Sequence, residues 1–224
     1  MKIVEYVDSD MMMIDLANVL AGELSAALMH EDRVSFAVPG GSTPGPLFDD
    51  LCAADLDWSR VDIMLSDERW VPESSDRSNT RLLRERLLVG RAARARLIPL
   101  YAQADTPEEK LPELRKTLGP LLPLNLLLLG MGADMHTASL FPGADRLADA
   151  FDAHAPILLP MRAPGLPEAR VTLSAPVLKG AISAHILITG AEKRKAIETA
   201  RKMNDPMQAP ISAFLSEATI HWAP

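Results

Sequence analysis

Short apolar runs alternate with longer amphipathic stretches along the whole chain, and this alternation restricts the fold more than any other feature of the sequence. The runs Lys2 to Val7, Val34 to Pro39, Val61 to Ser66, Leu124 to Gly130 and His185 to Gly190 read as strands. Between them, residues 10–30, 43–54, 79–88, 107–118 and 191–203 carry Leu, Ile, Met and Ala at helical spacing. Strands that alternate with helices build parallel sheets through right-handed crossovers. The expected fold is therefore α/β: a Rossmann-like three-layer α/β/α arrangement, with a mostly parallel sheet and helices on both faces. At 224 residues and 48% hydrophobic, the chain can bury one large core, and residues 1–224 read as a single domain. Met11, Met12 and Met13 lie on both faces of the first helix, so part of that run reads as core filling. The stretch from Ala144 to Leu166 is rich in Pro, Ala and Asp without clear periodicity, and is expected to form a long surface loop or lid.

Charge and cysteine content narrow the function. A net charge of -7 and no dense Lys/Arg stripe argue against a nucleic-acid partner, whose backbone phosphates the average surface would repel. A small anion is still allowed, because a few local cations and backbone N–H groups suffice to bind it. The single cysteine, Cys52, cannot form an internal disulfide and reads as a small buried hydrophobe. No Cys/His pair has metal-ligand spacing, so no metal or other cofactor is expected. No signal-like N-terminus and no membrane-spanning apolar stretch are apparent, which points to a cytoplasmic protein without a membrane partner.

In open parallel sheets ligands gather at the carboxyl ends of the strands, so the chemistry is sought just after each apolar run. Pro39-Gly40-Gly41-Ser42-Thr43-Pro44-Gly45 follows the second strand and leads into a helix. Its glycines let the backbone approach a ligand, Ser42 and Thr43 offer hydroxyls, and Pro44 suits the first helical turn, together making an anion cradle. The same residues could be no more than a tight turn with a Ser/Thr cap. After the third strand comes Ser66-Asp67-Glu68-Arg69-Trp70-Val71-Pro72, then Asp76-Arg77-Ser78-Asn79. This cluster is either a solvated loop held by ion pairs, or a place where Asp67 orients a polar partner and Arg69 grips substrate oxygens.

The sharpest segment is Gly130-Met131-Gly132-Ala133-Asp134-Met135-His136-Thr137-Ala138-Ser139-Leu140-Phe141-Pro142-Gly143. A carboxylate beside an imidazole fixes its tautomer and raises its basicity, which makes His136 a candidate general base with Asp134 as its partner. His30, His154, His185 and His221 read as structural. Arg170 opens the strand-like Arg170-Val171-Thr172-Leu173, and Lys193 lies at a strand-to-helix junction; either is a surface charge or part of a phosphate site with Gly41 to Thr43.

Together these segments resemble the 6-phosphogluconolactonase family, within the glucosamine-6-phosphate deaminase and ribose-5-phosphate isomerase-like group. The match runs in order through Pro39 to Pro44, Ser66 to Arg69, Ser78-Asn79, His136 to Pro142, Arg170 to Leu173 and Thr189 to Lys193. The related deaminases are similar up to the histidine and then continue with Ile-Ala-Phe-Asn-Glu-Pro. The resemblance implies metal-free hydrolysis of a phosphorylated sugar lactone, 6-phosphogluconolactone, in the pentose phosphate pathway. It makes His136 the base that activates water, with Asp134 and Asp67 near it. It makes Gly41, Ser42, Thr43, Arg170 and Lys193 phosphate ligands, and Arg69 a second cation in the pocket.

This chain departs from the family pattern at Met135, where a glycine is expected between the aspartate and the histidine. Either the backbone there has positive φ and the methionine is strained, or it is ordinary and the methionine covers the pocket. Two other readings stay open at this stage. One is a sugar-phosphate isomerase or deaminase; the other is a sugar-phosphate-binding protein that has lost catalysis.

Overall fold

The computed structural model describes residues 1–224, and each of the five apolar runs forms a strand within it. They are β1 (Lys2–Glu5), β2 (Val34–Val38), β3 (Val61–Leu65), β6 (Leu126–Gly130) and β9 (Ser183–Thr189). Two further parallel strands, β5 (Arg96–Ile98) and β10 (Thr219–Ala223), complete a seven-stranded sheet in the order β1-β10-β9-β6-β2-β3-β5. All five residues of β2 and of β3 are buried, as expected for strands covered on both faces. From β2 the chain proceeds outward to β3 and β5; from β6 it proceeds the other way to β9 and β10. The gap between β2 and β6 is thus the switch point of the sheet, where loops part and a cleft can open.

The flanking helices are α1 (Ser9–Leu28), α2 (Gly45–Leu51), α3 (Asn79–Arg86), α4 (Leu111–Leu118), α5 (Leu147–Phe151), α6 (Ala175–Lys179) and α7 (Gly190–Met203). Helix α1 begins where the Asp8 carboxylate accepts the Met11 N–H at 2.8 Å, a cap that contributes about 1 kcal/mol. It buries Met12, Met13, Leu16, Ala17, Leu20, Leu24 and Leu28, leaving Met11 exposed. By length and composition α1 could cross a membrane; here that buried stripe belongs to the continuous core of 56 residues. Cys52 is only partly buried, and its thiol donates to the Asp49 carbonyl.

A second, three-stranded antiparallel sheet is formed around the strand-like segment Arg170 to Leu173, the one part of it that the sequence shows. Its strands are β4 (Asp67–Arg69), β8 (Arg170–Leu173) and β7 (Leu158–Met161), with β8 in the middle. One residue, Ser66, separates β3 from β4, so the end of a central strand feeds directly into this small sheet. The stretch 144–166 is accordingly not a long loop or lid: it contains α5 and β7, and β7 is fully buried. Pro160 masks the strand pattern in sequence, yet it is tolerated because β7 is an edge strand.

Candidate active site

A cleft of about 260 Å³ opens over the switch point. The loop after β2 (Pro39 to Pro44), Asp67 and Arg69 of β4, and Asn79 at the start of α3 form one side. The turn after β6 (Gly130 to Gly132, His136, Ala138), Arg170 of β8, Leu187 and Lys193 in the first turn of α7 form the rest. Of the residues singled out from sequence, His136, Asp67, Gly41, Ser42, Thr43, Arg69, Arg170 and Lys193 all line this cleft. Asp134 stands behind His136.

The turn after β6 closes on itself. Gly132 N–H donates to the His136 carbonyl and Met135 N–H to the Gly132 carbonyl, both at 3.0 Å. Asp134 Oδ1 lies 2.5 Å from His136 Nδ1 and also accepts the His136 backbone N–H at 3.3 Å. The imidazole hydrogen bond holds the Asp134 carboxyl below the usual carboxylate range. With Nδ1 engaged by a carboxylate, the lone pair of the neutral ring resides on Nε2, the nitrogen suited to take a proton. Met135 has φ of +66°, so the residue that replaces the family glycine is in the left-handed region. Its side chain packs against the core and does not line the cleft. The strained alternative is the one realised.

Asp67 shares the cleft, but its hydrogen bonds go elsewhere. It accepts from Ser139 Oγ at 2.5 Å and from Ser66 Oγ at 3.3 Å, and Arg170 Nη1 stands 4.0 Å away. Arg69 and Arg170 are directly opposed across the β4/β8 pair, an unfavourable placement of like charges unless carboxylates compensate. Glu168, held at two points by Arg77, lies 3.8 Å from Arg170 Nη2. These separations exceed hydrogen-bond length. Arg170 is 7% exposed, its Nε has no partner, and burial lowers its pKa. The Arg69 Nε is likewise buried and unpartnered, and burial lowers the Lys193 pKa. A buried cation with unused donors, as Arg170 is, is costly in isolation and suited to receive an anion, and the partly buried Arg69 and Lys193 add positive charge beside it.

Opposite these cations, the loop Pro39 to Pro44 lines the cleft. Gly41 has φ of +86°, which a residue bearing a β-carbon adopts only with strain. Pro44 is the N-cap of α2 rather than a first-turn residue.

Two contributors escaped the sequence reading. Glu68, fully buried, accepts the backbone N–H groups of Arg69, Asn79 and Thr80 and the hydroxyls of Ser78 and Thr80. Burial raises its pKa despite these bonds. Asn79, fixed by that carboxylate, donates through Nδ2 to the Asp67 carbonyl at 3.1 Å and lies flat against Gly40, where a β-carbon would overlap its carboxamide. The signal available in sequence was Ser78-Asn79-Thr80 at a helix start, which marks a cap without revealing what the cap binds. No three His, Cys, Asp or Glu side chains converge in a way that could hold a metal ion.

Residues 7–222 match the protein family described as glucosamine-6-phosphate isomerases/6-phosphogluconolactonase. A 6-phosphogluconolactonase of Pseudomonas aeruginosa is 42% identical over 93% of this chain and 89% of its own length. One of Rhizobium meliloti is 40% identical over 93% of each. The crystal structure of a 6-phosphogluconolactonase from Shewanella baltica superposes with a TM-score of 0.96 at 31% identity, covering 100% of this chain and 97% of that one. A monomeric glucosamine-6-phosphate deaminase, 16% identical, shares the fold with a TM-score of 0.81. The chain belongs to the glucosamine-6-phosphate isomerase/6-phosphogluconolactonase family. Within that family its place is the 6-phosphogluconolactonase branch.

Proposed function

We infer that the chain hydrolyses 6-phosphogluconolactone to 6-phosphogluconate, the activity for which its relatives at 36–42% identity are named. It is a lactone hydrolase. One observation carries the assignment of residues: an imidazole held through Nδ1 by Asp134 shares a cleft with a buried guanidinium whose Nε is unpaired.

In this reading the substrate phosphate is held by the backbone and hydroxyls of Gly41, Ser42 and Thr43 and by Arg170 and Lys193. That anchorage presents the lactone carbonyl to a water on Nε2 of His136. The imidazole takes a proton as the water oxygen bonds to the carbonyl carbon. Asp134 stabilises the resulting imidazolium, and Arg69 faces the negative charge that develops on the carbonyl oxygen. Asp67 offsets the nearby arginines. Collapse of the tetrahedral adduct breaks the bond to the ring oxygen, which receives the proton from His136, leaving a carboxyl and a hydroxyl.

The test compares 6-phosphogluconate release from fresh lactone with spontaneous hydrolysis, for the wild type and His136→Ala. A fall of 10²-fold or more with inorganic phosphate affinity retained is expected. Equal loss of both would move His136 into the anion site and remove it from the role of base.

A further inference from the structure

Among the buried aliphatic, methionine and aromatic side chains, Phe141 alone stands outside the continuous core of 56 residues. It is 8% exposed, so water does not cover it, and it does not line the cleft. Its ring is covered instead by two polar side chains that do. The His136 imidazole lies with its centroid 4.2 Å from the Phe141 centroid and its plane inclined by 32°. The Arg170 guanidinium carbon lies 5.4 Å from the centroid of the same ring.

Both groups lack another fixed support on that side. Asp134 binds one nitrogen of His136 and Gly132 meets the Cε1–Nδ1 edge, so neither contact supports the face of the ring. Arg170 has an unpartnered Nε and carboxylates only at 3.8 and 4.0 Å, so hydrogen bonds do not fix its plane. An aromatic face supplies what is missing. It stacks with an imidazole, attracts a guanidinium through its negative quadrupole, and competes with neither for a proton or a hydrogen bond.

We propose that Phe141 is a positioning residue that fixes the separation between the base and the anion-binding cation, and so selects substrates whose reacting carbonyl lies at the matching distance from the phosphate. This rests on the roles given above to His136 and Arg170. Because Phe141 contributes nothing to the main core, its replacement should change the site and leave the fold standing.

Two substitutions test this. Phe141→Leu is expected to lower kcat/KM at least 10-fold and weaken inorganic phosphate binding by about 10- to 30-fold, the loss of a desolvated cation–π contact. The loss should fall on kcat as well as on KM, since the base and the cation lose the same support. Placing 3,4,5-trifluorophenylalanine at 141 keeps the shape but removes the negative face, and should reproduce the losses of phosphate affinity and kcat in a protein of wild-type stability. Phe141→Tyr should restore all three. Wild-type phosphate affinity and wild-type kcat in the fluorinated protein would overturn the proposal, whether or not Phe141→Leu folds. Phosphate binding is read without turnover, so this failure is distinct from failure of His136 as the base.

Discussion

The imidazole of His136 lies against the α-carbon of Gly132, so that a β-carbon at 132 would overlap ring atoms Cε1 and Nδ1 and the Asp134 carboxylate. The glycine is required here for space, since its φ is not among the positive values of the chain. Gly132→Ala should therefore displace the base without disturbing the sheet. Turnover should fall by 10² or more, with inorganic phosphate affinity within about two-fold of wild type. Retained turnover would show that the imidazole position is not critical.

Both oxygens of Glu68 accept backbone N–H groups: Oε1 from Arg69 and Asn79, Oε2 from Thr80. A glutamine offers only one acceptor oxygen, so in Glu68→Gln an NH2 group must face a donor whichever way the amide is turned. The cost is about 2–3 kcal/mol, and thermal unfolding should drop by about 4–12 °C for a chain of this size. An unchanged transition would mean that the region rearranges around the substitution.

Met135 holds a left-handed backbone at a cost of about 1–2 kcal/mol. Met135→Gly removes that strain but frees the unfolded chain by about 0.5–1 kcal/mol. The balance is a gain of about 0–1.5 kcal/mol, or up to a few degrees in Tm, with kcat within two-fold of wild type. A loss of stability would show that the methionine side chain contributes more through packing than its backbone costs.

A chain of side chains ties α1 to the far edge of the sheet: Asp15, Tyr6, His221, His185 and Glu23, linked at 2.8 to 3.2 Å. Burial, reinforced by the neighbouring His185, pushes the His221 pKa down to about 4, with Lys2 acting in the same direction and Asp15 and Glu23 against it. The unfolded chain takes up this proton near 6.5. Stability is therefore full above about pH 7 and declines as pH falls toward 4, by up to about 3 kcal/mol. The His185 hydrogen bond lowers the Glu23 pKa, which adds a loss of the same sign at still lower pH. Urea midpoints at pH 7.5 and 4.5 measure the effect, and His221→Asn should flatten it.

The central strands β2, β3, β6 and β9 and the helices between them were legible because burial on both faces leaves a continuous apolar run, whereas the edge strand β1 showed only through Ile3 and Val4. β4, β5 and β10 were not: Asp67-Glu68-Arg69 carries no apolar residue, Arg96-Leu97-Ile98 is three residues long, and Thr219-Ile220-His221-Trp222-Ala223 mixes polar and apolar positions. The site residues were legible where they follow strands. What sequence could not give is pairing across distance, such as Arg69 opposite Arg170, or Phe141 beneath both a base and a cation. The first depends on the small sheet, which joins β4 to the β7–β8 pair from a distant part of the chain.

That dispersion has a kinetic side. Strand β2 must find β6 some ninety residues away, and β4 must find β8 a hundred residues away, before Asp67, His136 and Arg170 share one cleft. Helices close on neighbours quickly, whereas such remote pairings are slow to form. Recovery of lactone hydrolysis during refolding should thus trail the return of helical signal, so that activity serves as a clock for the last long-range contacts to lock.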